Sequence, residues 1–453
     1  MFPVAQIARQ FQGKSVNRRI FQAAASVSAA AVFVKLVATF KEFVVAGVYG
    51  RSDAMDAFLI AALIPSLLVN LISESMNQAL VPTLIRVREH EGRKRAQQLL
   101  SNAMLSMSLL LIAASALLAM TARGIFPILA SHFSPAKLTL SIHLFYALLP
   151  VVLVAGIASN CTAVLNTFDR FALPALIPIV VPAAIMACAL LLAPRMGIWA
   201  MVVGYLGGAL LQAVTLAVLM EAHSYQFRLW WHGMTESTRE VAGQYGPVLL
   251  SALVASGGLL VDQSMAAMLP AGSVSTLAYA SRFVSVVLSL SAGAISTAVT
   301  PYFSRMIALG DWAGCRHSVR TWLRLTAFVS TPVALALVAG AHFVIRLTFQ
   351  HGAFGPRDTA VVTPVLAMFA LQIPFFVCSR VFYRFLLAMR RTDLILYCGI
   401  LNLGLDIVLN LILMRWFGVA GIALATSLWT VSTFFFLWYW TRRLMPQPPE
   451  ATA

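Results

Sequence analysis

Charged residues are scarce in this sequence. Asp, Glu, Lys and Arg make up 11% of the 453 residues, whereas hydrophobic residues make up 60%. Soluble domains are typically about 25% charged and about 45–50% apolar, so the composition excludes a water-soluble fold for most of the chain. Negative charge is scarcer than positive charge, with 16 Asp and Glu residues against 32 Lys and Arg residues. In lipid, the backbone polar groups must instead be paired within helices.

Cysteine pairs, a cleavable leader and long polar loops are also lacking. The five cysteines stand singly, without a CxxC pair or a Cys/His spacing suited to zinc. The basic segment 1–20 precedes an apolar run that is too long for a secretory signal and has no small-residue cleavage site. No loop is long enough for the catalytic domain of a membrane glycosyltransferase. The sequence therefore predicts no disulfide, no zinc site and no enzymatic activity.

Long apolar runs make up most of the chain. A helix that crosses about 30 Å of hydrocarbon needs about 20 apolar residues. The runs predict an all-α polytopic membrane protein of about twelve transmembrane helices, at residues 22–49, 55–85, 98–121, 140–166, 173–193, 197–220, 243–269, 275–304, 321–348, 359–388, 394–414 and 417–441.

The positive charges between these runs set the predicted orientation. With the N-terminus inside, 20 Lys and Arg residues fall in cytoplasmic segments and seven fall outside. Because cytoplasmic loops carry the excess of positive charge, both termini are predicted to be cytoplasmic. The net charge of +16 is thereby explained by topology and anionic lipid headgroups rather than by nucleic-acid binding.

The second half of the sequence echoes the first. Three pairs of similar motifs are offset by 219, 222 and 221 residues, namely Ala79–Arg86 with Ala298–Arg305, Leu165–Arg170 with Leu387–Thr392, and Met196–Met201 with Phe417–Ile422. Six helices per half give both halves the same orientation, which is a parallel repeat of the kind that builds two-lobed transporters. The predicted domains are a cytoplasmic basic N-terminal segment 1–20, a first lobe 21–220, a cytoplasmic linker 221–242, a second lobe 243–441 and a cytoplasmic tail 442–453.

Ionisable residues remain inside the predicted spans. Each costs about 2.5–3.5 kcal/mol at a helix centre on insertion scales, so we expect these side chains to face a cavity or a partner. They are the cations Lys35, Lys41, Arg282, Arg380 and Arg384 and the acids Glu42, Asp56, Glu74, Asp262 and Asp406.

Several of these charges are placed to form a cationic chamber. Lys35 and Glu42 share one face of the first span, and Arg282 lies about two turns into the eighth. Such a chamber suits an anionic substrate such as a phosphate or diphosphate, although ion pairs that hold helices together, or snorkelling of Arg380 and Arg384, account for the same residue types. The predicted substrate-binding residues are Lys35, Lys41, Glu42, Asp56, Arg282 and Arg380.

A second group of polar residues is rich in oxygen. Asn402 and Asp406 share one face of the eleventh span, Asp262 lies in the seventh, and Thr426 follows Ile422 by one turn in the twelfth. Carboxylate, amide, hydroxyl and backbone oxygens suit a sodium ion or a proton. Hydrogen bonding between helices is the alternative explanation.

The sequence resembles the MurJ (MviN) family, lipid II flippases of the multidrug/oligosaccharidyl-lipid/polysaccharide exporter superfamily. The resemblance runs from about residue 20 to 440 and rests on Lys41-Glu42, Tyr49–Phe58, Glu74–Pro82, Leu165–Phe171, Gly272–Arg282, Pro301–Arg305 and Gly418–Ser427.

That resemblance implies a V-shaped bundle with a central cationic cavity, which flips an undecaprenyl-diphosphate-linked sugar from the inner to the outer leaflet. The family's cavity cations fall on Lys35, Lys41 and Arg282, and its cavity aspartate falls on Asp56. A sodium site of some members falls on Asp262, Asn402, Asp406, Ile422 and Thr426.

The sequence departs from the family pattern at several positions. Lys35 and Lys41 stand where the family has arginines, which keeps the charge but loses bidentate geometry. Val69 and Asn70 replace an arginine pair, and Ser281 replaces an acid. The family normally has fourteen helices, and twelve are predicted here.

We therefore expect a flippase for a lipid II-like, undecaprenyl-diphosphate-linked cell-wall precursor, working by alternating access in the bacterial inner membrane. No cofactor is expected, apart from the candidate sodium ion. The expected partners are the lipid-linked saccharide, membrane lipids and the machinery of cell-wall or polysaccharide synthesis, with no nucleic acid. A flippase for an exopolysaccharide or O-antigen unit, an exporter of small cationic molecules and a scaffold subunit remain alternatives.

Overall fold

The computed structural model describes residues 29–165, 172–222 and 229–445. Within these ranges the chain is almost entirely helical and contains no β-strand. The predicted basic segment 1–20, the turn 166–170, residues 223–228 of the linker and residues 446–453 of the tail lie outside the described residues.

Long helices follow one another through the described ranges. They are α1 (residues 29–49), α2 (Asp53–His90), α3 (Arg93–Leu129), α4 (Pro135–Leu165), α5 (Pro174–Met196), α6 (Trp199–Ala222), α7 (Glu236–Ala267), α8 (Ser273–Ala308), α9 (Trp312–Phe349), α10 (Pro356–Ala388), α11 (Thr392–Phe417) and α12 (Val419–Leu444). Among these, the 11 helices from α2 to α12 are long and apolar enough to cross a membrane. The described part of α1 carries Lys35, Lys41 and Glu42. The predicted all-α class with about twelve spans is confirmed.

Three of the helices have local irregularities, and α5 contains a 3-10 turn over Ile177–Ile179 near its start. In α2, the turns widen to a π-helix over Val69–Glu74, a feature that is frequent at functional sites. The helix α10 consists of Pro356–Ala370 and Ile373–Ala388. Its interruption at residues 371 and 372 comes just before Pro374, which lies in the first turn of the second segment, where the missing N–H of proline is tolerated.

The sequence repeat is visible in the backbone. Gly197 connects α5 to α6, and Gly418 connects α11 to α12. Gly197 has φ 56° and ψ −134°, and Gly418 has φ 56° and ψ −133°. Residues with a side chain rarely adopt a positive φ, so glycine is required at both turns. The matched pair of turns gives structural support to the offset of 221 residues.

The chain divides into two compact units. Unit 1 comprises the described residues up to Val44, Ile64–Ala122 and Leu144–Leu250; unit 2 comprises Val45–Leu63, Arg123–His143 and the described residues from Ser251 onward. The predicted lobe bounds of 21–220 and 243–441 remain predictions.

Unit 1 has an apolar core and one very close helix pair. Ile72, Met107 and Leu216 are among the buried residues of that core. At Gly204 a Cβ atom would lie 2.8 Å from the Ile185 Cα, so α5 and α6 approach backbone to backbone. In a membrane there is no hydrophobic driving force between helices, so small residues stabilise such crossings by permitting close van der Waals contact.

The linker before α7 is attached to unit 1 by Asn102 of α3, which is fully buried. Its Oδ1 accepts a hydrogen bond from the His232 N–H at 2.7 Å, and its Nδ2 donates to the Gly233 carbonyl at 2.9 Å. Trp230 and Trp231 of the same segment are exposed. Asn102, together with the Ser101 hydroxyl that accepts from the Trp230 N–H at 3.2 Å, therefore orders a segment that has no regular secondary structure of its own.

The core of unit 2 includes an aromatic cluster. The Tyr279 ring lies 5.3 Å from the Phe349 ring and 6.0 Å from the Phe354 ring, measured between centroids. The Tyr279 hydroxyl donates to the Gly50 carbonyl at 3.0 Å. This cluster joins α8, the end of α9 and the turn after α1 within unit 2.

Candidate functional site

The predicted charges of α1 lie in unit 1 and differ in their surroundings. The Lys41 Nζ is 2.9 Å from the Glu42 Oε1, and the Glu42 side chain is buried. Lys35, about two turns earlier, is exposed. Lys41 is therefore held by an acid of its own helix, whereas the Lys35 ammonium is accessible.

Asp56 is buried in unit 2, where donors from separate connections surround it. Its Oδ2 accepts from the Lys137 Nζ at 2.9 Å and from the Gly272 N–H at 2.7 Å, and its Oδ1 accepts from the Ser275 N–H at 2.9 Å. The carboxylate thus caps the N-terminus of α8, where its negative charge interacts favourably with the positive end of the helix dipole. Substrate binding by Asp56 stays a prediction, because both of its oxygens are engaged here.

Further ion pairs extend this arrangement. The Lys137 Nζ is also 2.6 Å from the Asp53 Oδ1. The Arg51 Nη1 is 3.3 Å from the Asp358 Oδ1, and the Arg51 Nε donates to the Thr276 Oγ1 at 2.6 Å. We call Arg51, Asp53, Asp56, Lys137 and Asp358 the loop cluster. It joins the connections α1–α2, α3–α4, α7–α8 and α9–α10, which the hydropathy pattern assigns to one membrane face.

The remaining predicted substrate cations also lie in unit 2. Arg282 is exposed on α8. Arg380 is half-buried on α10, with its guanidinium carbon 4.1 Å from the centre of the Phe376 ring. The predicted chamber takes Lys35 from unit 1 and Arg282 from unit 2, and it remains a prediction.

Four members of the predicted oxygen-rich group meet in unit 2 around Asn410, and the fifth, Asn402, lies one turn before Asp406 on α11. The Asn410 Nδ2 donates to the Asp262 Oδ1 at 2.8 Å and to the Asp406 Oδ1 at 3.2 Å. The Thr426 Oγ1 lies 3.3 Å from the Asp262 Oδ2 and 3.1 Å from the Ile422 carbonyl oxygen. Two carboxylates from α7 and α11 therefore share one donor, beside the hydroxyl of α12.

Three buried oxygens of this group have no hydrogen-bond donor in the described part of the chain. They are the Asp406 Oδ2, the Asn402 Oδ1 and the Asn410 Oδ1. The Asn402 Nδ2 donates instead to the Cys398 Sγ at 3.6 Å. A buried polar atom without a partner costs about 1–3 kcal/mol, and a cation with hard-oxygen ligands would remove that cost. The residues therefore fit the ion that the family resemblance implies.

Two features limit which ion fits. A Cβ at Gly258 of α7 would lie 3.5 Å from the Asp406 Oδ2, so the absent side chain leaves space beside an unpartnered oxygen. The described residues contain no group of three or more His, Cys, Asp or Glu side chains suited to a metal ion. With two carboxylates and neutral oxygens, the donor set suits a monovalent cation better than zinc.

Asn410 and Lys137 were not among the predicted site residues. Asn410 completes an i, i+4, i+8 series with Asn402 and Asp406 on α11, so its helical spacing was a usable signal. Lys137 gave no such signal. Its partners Asp53 and Asp56 belong to another connection, and only the tertiary fold brings them together.

These features define a polytopic membrane protein of the transporter class, with a buried carboxylate at a candidate cation site. Residues 45–452 match the family model described as "Lipid II flippase MurJ". The chain therefore belongs to the MurJ family of lipid II flippases.

Individual relatives agree with that assignment. The chain is 24% identical over 426 residues to the "Probable lipid II flippase MurJ" of Buchnera aphidicola, covering 91% of this chain and 82% of the relative. A solved structure of lipid II flippase MurJ in an inward closed conformation superposes with a TM-score of 0.79 at 24% identity, covering 92% of this chain and 87% of that one. An inward-facing MATE family transporter of the MOP superfamily gives 0.72 at 11% identity, covering 93% and 98%. These two structures establish the shared fold.

Proposed function

We propose that this protein is a flippase that moves an undecaprenyl-diphosphate-linked, lipid II-like cell-wall precursor across the bacterial inner membrane. The observation that carries the proposal is the family match over residues 45–452. The many long apolar helices support transport across a bilayer rather than chemistry in water. The protein changes the leaflet of its substrate and is not an enzyme.

The proposed substrate contact is electrostatic. Lys35 and Lys41 are cations on α1, and Arg282 is a cation on α8. A diphosphate is the anion that such donors recognise. The lipid tail stays in the membrane while the headgroup crosses by alternating access. Glu42, Asp56 and Arg380 are the other proposed contacts. The positive charge of the short loops supports a topology with both termini in the cytoplasm.

A sodium ion is the proposed coupling ion. Asp262, Asn402, Asp406, the Ile422 carbonyl and Thr426 would hold it, and Asn410 would orient the two carboxylates. The support is the set of buried oxygens without donors in the described part of unit 2. When bound, the ion would offset one of the two carboxylate charges and tie α7, α11 and α12 together.

Complementation tests the substrate. The gene is expressed in a strain depleted of its own lipid II flippase, with membrane expression verified by immunoblot. We expect growth to be rescued by the wild-type protein and not by the Arg282→Ala variant. Failure of the well-expressed wild type would contradict lipid II as substrate. Rescue of a strain deficient in exopolysaccharide or O-antigen export would then identify the alternative glycolipid, and partners among the corresponding synthetic enzymes.

A further inference from the structure

A cavity of about 420 Å³ lies inside unit 2, among α7, α10, α11 and α12. Arg380 of α10 and Trp429 of α12 are both in its lining. Neither belongs to the oxygen-rich group described above, which meets this cavity only at Asn402. Its volume is within the range of about 300–1,000 Å³ that is typical of small-molecule sites.

Arg380 brings a cation into the cavity without a matching anion. Its guanidinium carbon lies 4.1 Å from the Phe376 ring centre and 5.6 Å from that of Tyr383. No carboxylate pairs with it, and no oxygen accepts its hydrogen bonds, among the residues that the structure describes. Ring stacking is worth about 0.5–2 kcal/mol and leaves all five N–H donors of the guanidinium unused.

Trp429 presents a second unused donor. Its Nε1–H is buried and has no acceptor in the described ranges. A buried indole N–H normally finds a partner, and leaving it unpaired costs about 1–3 kcal/mol. Two residues that line one cavity thus carry donors without acceptors in the described ranges, and an anionic ligand that reached both would satisfy them.

The rest of the lining indicates what else the ligand carries. Leu387, Ile395, Leu396 and Leu437 form apolar parts of the wall. Hydroxyls of the wall largely donate to their own helices, as Ser379 does to the Phe375 carbonyl at 2.7 Å. The cavity therefore offers a cationic end and a hydrocarbon surface, which matches an anionic group attached to an apolar chain.

We propose that this cavity binds the phosphate group of an anionic lipid, with Arg380 and the Trp429 N–H as donors and the leucine-lined wall against the first part of the lipid chain. Phosphate is the anion shared by membrane lipids, and the guanidinium fork binds it in a bidentate manner. The volume admits a phosphate with a short length of chain but not a complete lipid-linked saccharide. Arg380 is also one of the residues proposed above to contact the substrate, but an ordinary anionic lipid satisfies the same chemistry, so the binding proposal does not require flippase activity.

Binding to the purified full-length protein in uncharged detergent tests the proposal. Farnesyl phosphate, farnesol and inorganic phosphate are titrated separately, and binding is measured by native mass spectrometry and by thermal shift. We expect farnesyl phosphate to bind and farnesol, which lacks the phosphate, to bind at least about tenfold more weakly. Inorganic phosphate is also added in competition with farnesyl phosphate, which distinguishes a free anion from a lipid as the source of the phosphate.

Variants locate the binding. Arg380→Gln is expected to weaken binding at least about tenfold, and Trp429→Phe, which keeps a ring but removes the N–H, by about fivefold. Arg380→Lys keeps the charge without the planar fork and should give an intermediate loss. The matched control is Arg384→Gln, one turn away on α10 and outside the lining, which should bind within about twofold of wild type. Size-exclusion profiles identify variants that fail to fold.

The site is supported if Arg380→Gln abolishes the binding of farnesyl phosphate or of inorganic phosphate. The proposal is overturned if folded Arg380→Gln and Trp429→Phe proteins bind like wild type, if Arg384→Gln loses as much, or if farnesol binds as tightly as farnesyl phosphate. Because no transport is measured, a negative result leaves the complementation test of the flippase untouched.

Discussion

The Lys137 ammonium lies 2.9 Å from the Asp56 Oδ2, and both side chains are buried where four inter-helix connections of unit 2 meet. The carboxylate also accepts the Gly272 and Ser275 N–H groups. The pair therefore links the start of α4 to the start of α2 and, through Asp56, to the start of α8. Because both charges are buried, removing either one would leave the other without a compensating charge.

Removing the ammonium should destabilise unit 2. We expect Lys137→Met to lower the free energy of unfolding by about 3 kcal/mol, because Asp56 would remain buried without its countercharge. Unfolding by dodecyl sulfate in mixed micelles measures the change. Lys94→Met, which removes an exposed lysine in the first turn of α3, is the matched control and should change stability by less than about 0.5 kcal/mol. Equal stability of the two variants would contradict the role of Lys137.

The oxygen-rich group should give the protein a sodium-dependent stability. We expect sodium chloride, compared with choline chloride, to raise the melting temperature of the wild type and to have no such effect on Asp406→Asn, which lacks one ligand charge. Asn410→Ala should weaken the apparent sodium affinity by about tenfold, because the two carboxylates lose their common donor.

Asn70→Ala, which changes an exposed amide in α2, controls for the loss of an asparagine elsewhere. It should keep the wild-type shift. A sodium response that survives in Asp406→Asn would rule out this site.

The linker segment should depend on Asn102. We expect Asn102→Ala to increase amide hydrogen exchange in residues 229–235, because the His232 N–H and the Gly233 carbonyl lose their buried partner at a cost of about 1–3 kcal/mol. Hydrogen–deuterium exchange read by mass spectrometry measures this. Ser106→Ala, one turn further along α3, removes a hydroxyl that bonds only to its own helix at the Asn102 carbonyl and should leave the segment unchanged. Unchanged exchange in Asn102→Ala would show that other contacts order the linker.

Much of the fold followed from local sequence features. The helices are marked by apolar runs, because a bilayer of fixed thickness demands a fixed length of helix. The repeat could be read from Gly197 and Gly418, since a turn between two helices requires a positive φ at both positions. The oxygen-rich group could be proposed from the sequence because Asn402 and Asp406 lie four residues apart on one helix face.

Other parts of the site depend on contacts between distant segments. In the sequence, Asp56 is recognisable only as an acidic residue near the start of a helix. Its burial beneath Lys137 and the N-terminus of α8 requires three connections to meet in the folded protein. The Arg380 cavity likewise depends on how α7, α10, α11 and α12 pack. The break before Pro374 was not predicted within the span 359–388, although a proline inside an apolar run is a recognisable signal for a helix break.

Translocation in proteoliposomes tests the central claim most directly. Lipid II is incorporated with purified protein, and the fraction that reaches the outer leaflet is followed by an enzyme that modifies only accessible headgroups. We expect the wild type to equilibrate the leaflets and the Lys35→Ala and Arg282→Ala variants to do so at least about tenfold more slowly, while Lys94→Ala keeps the wild-type rate. Wild-type protein that moves no lipid II, or full rates in both cavity variants, would contradict the account.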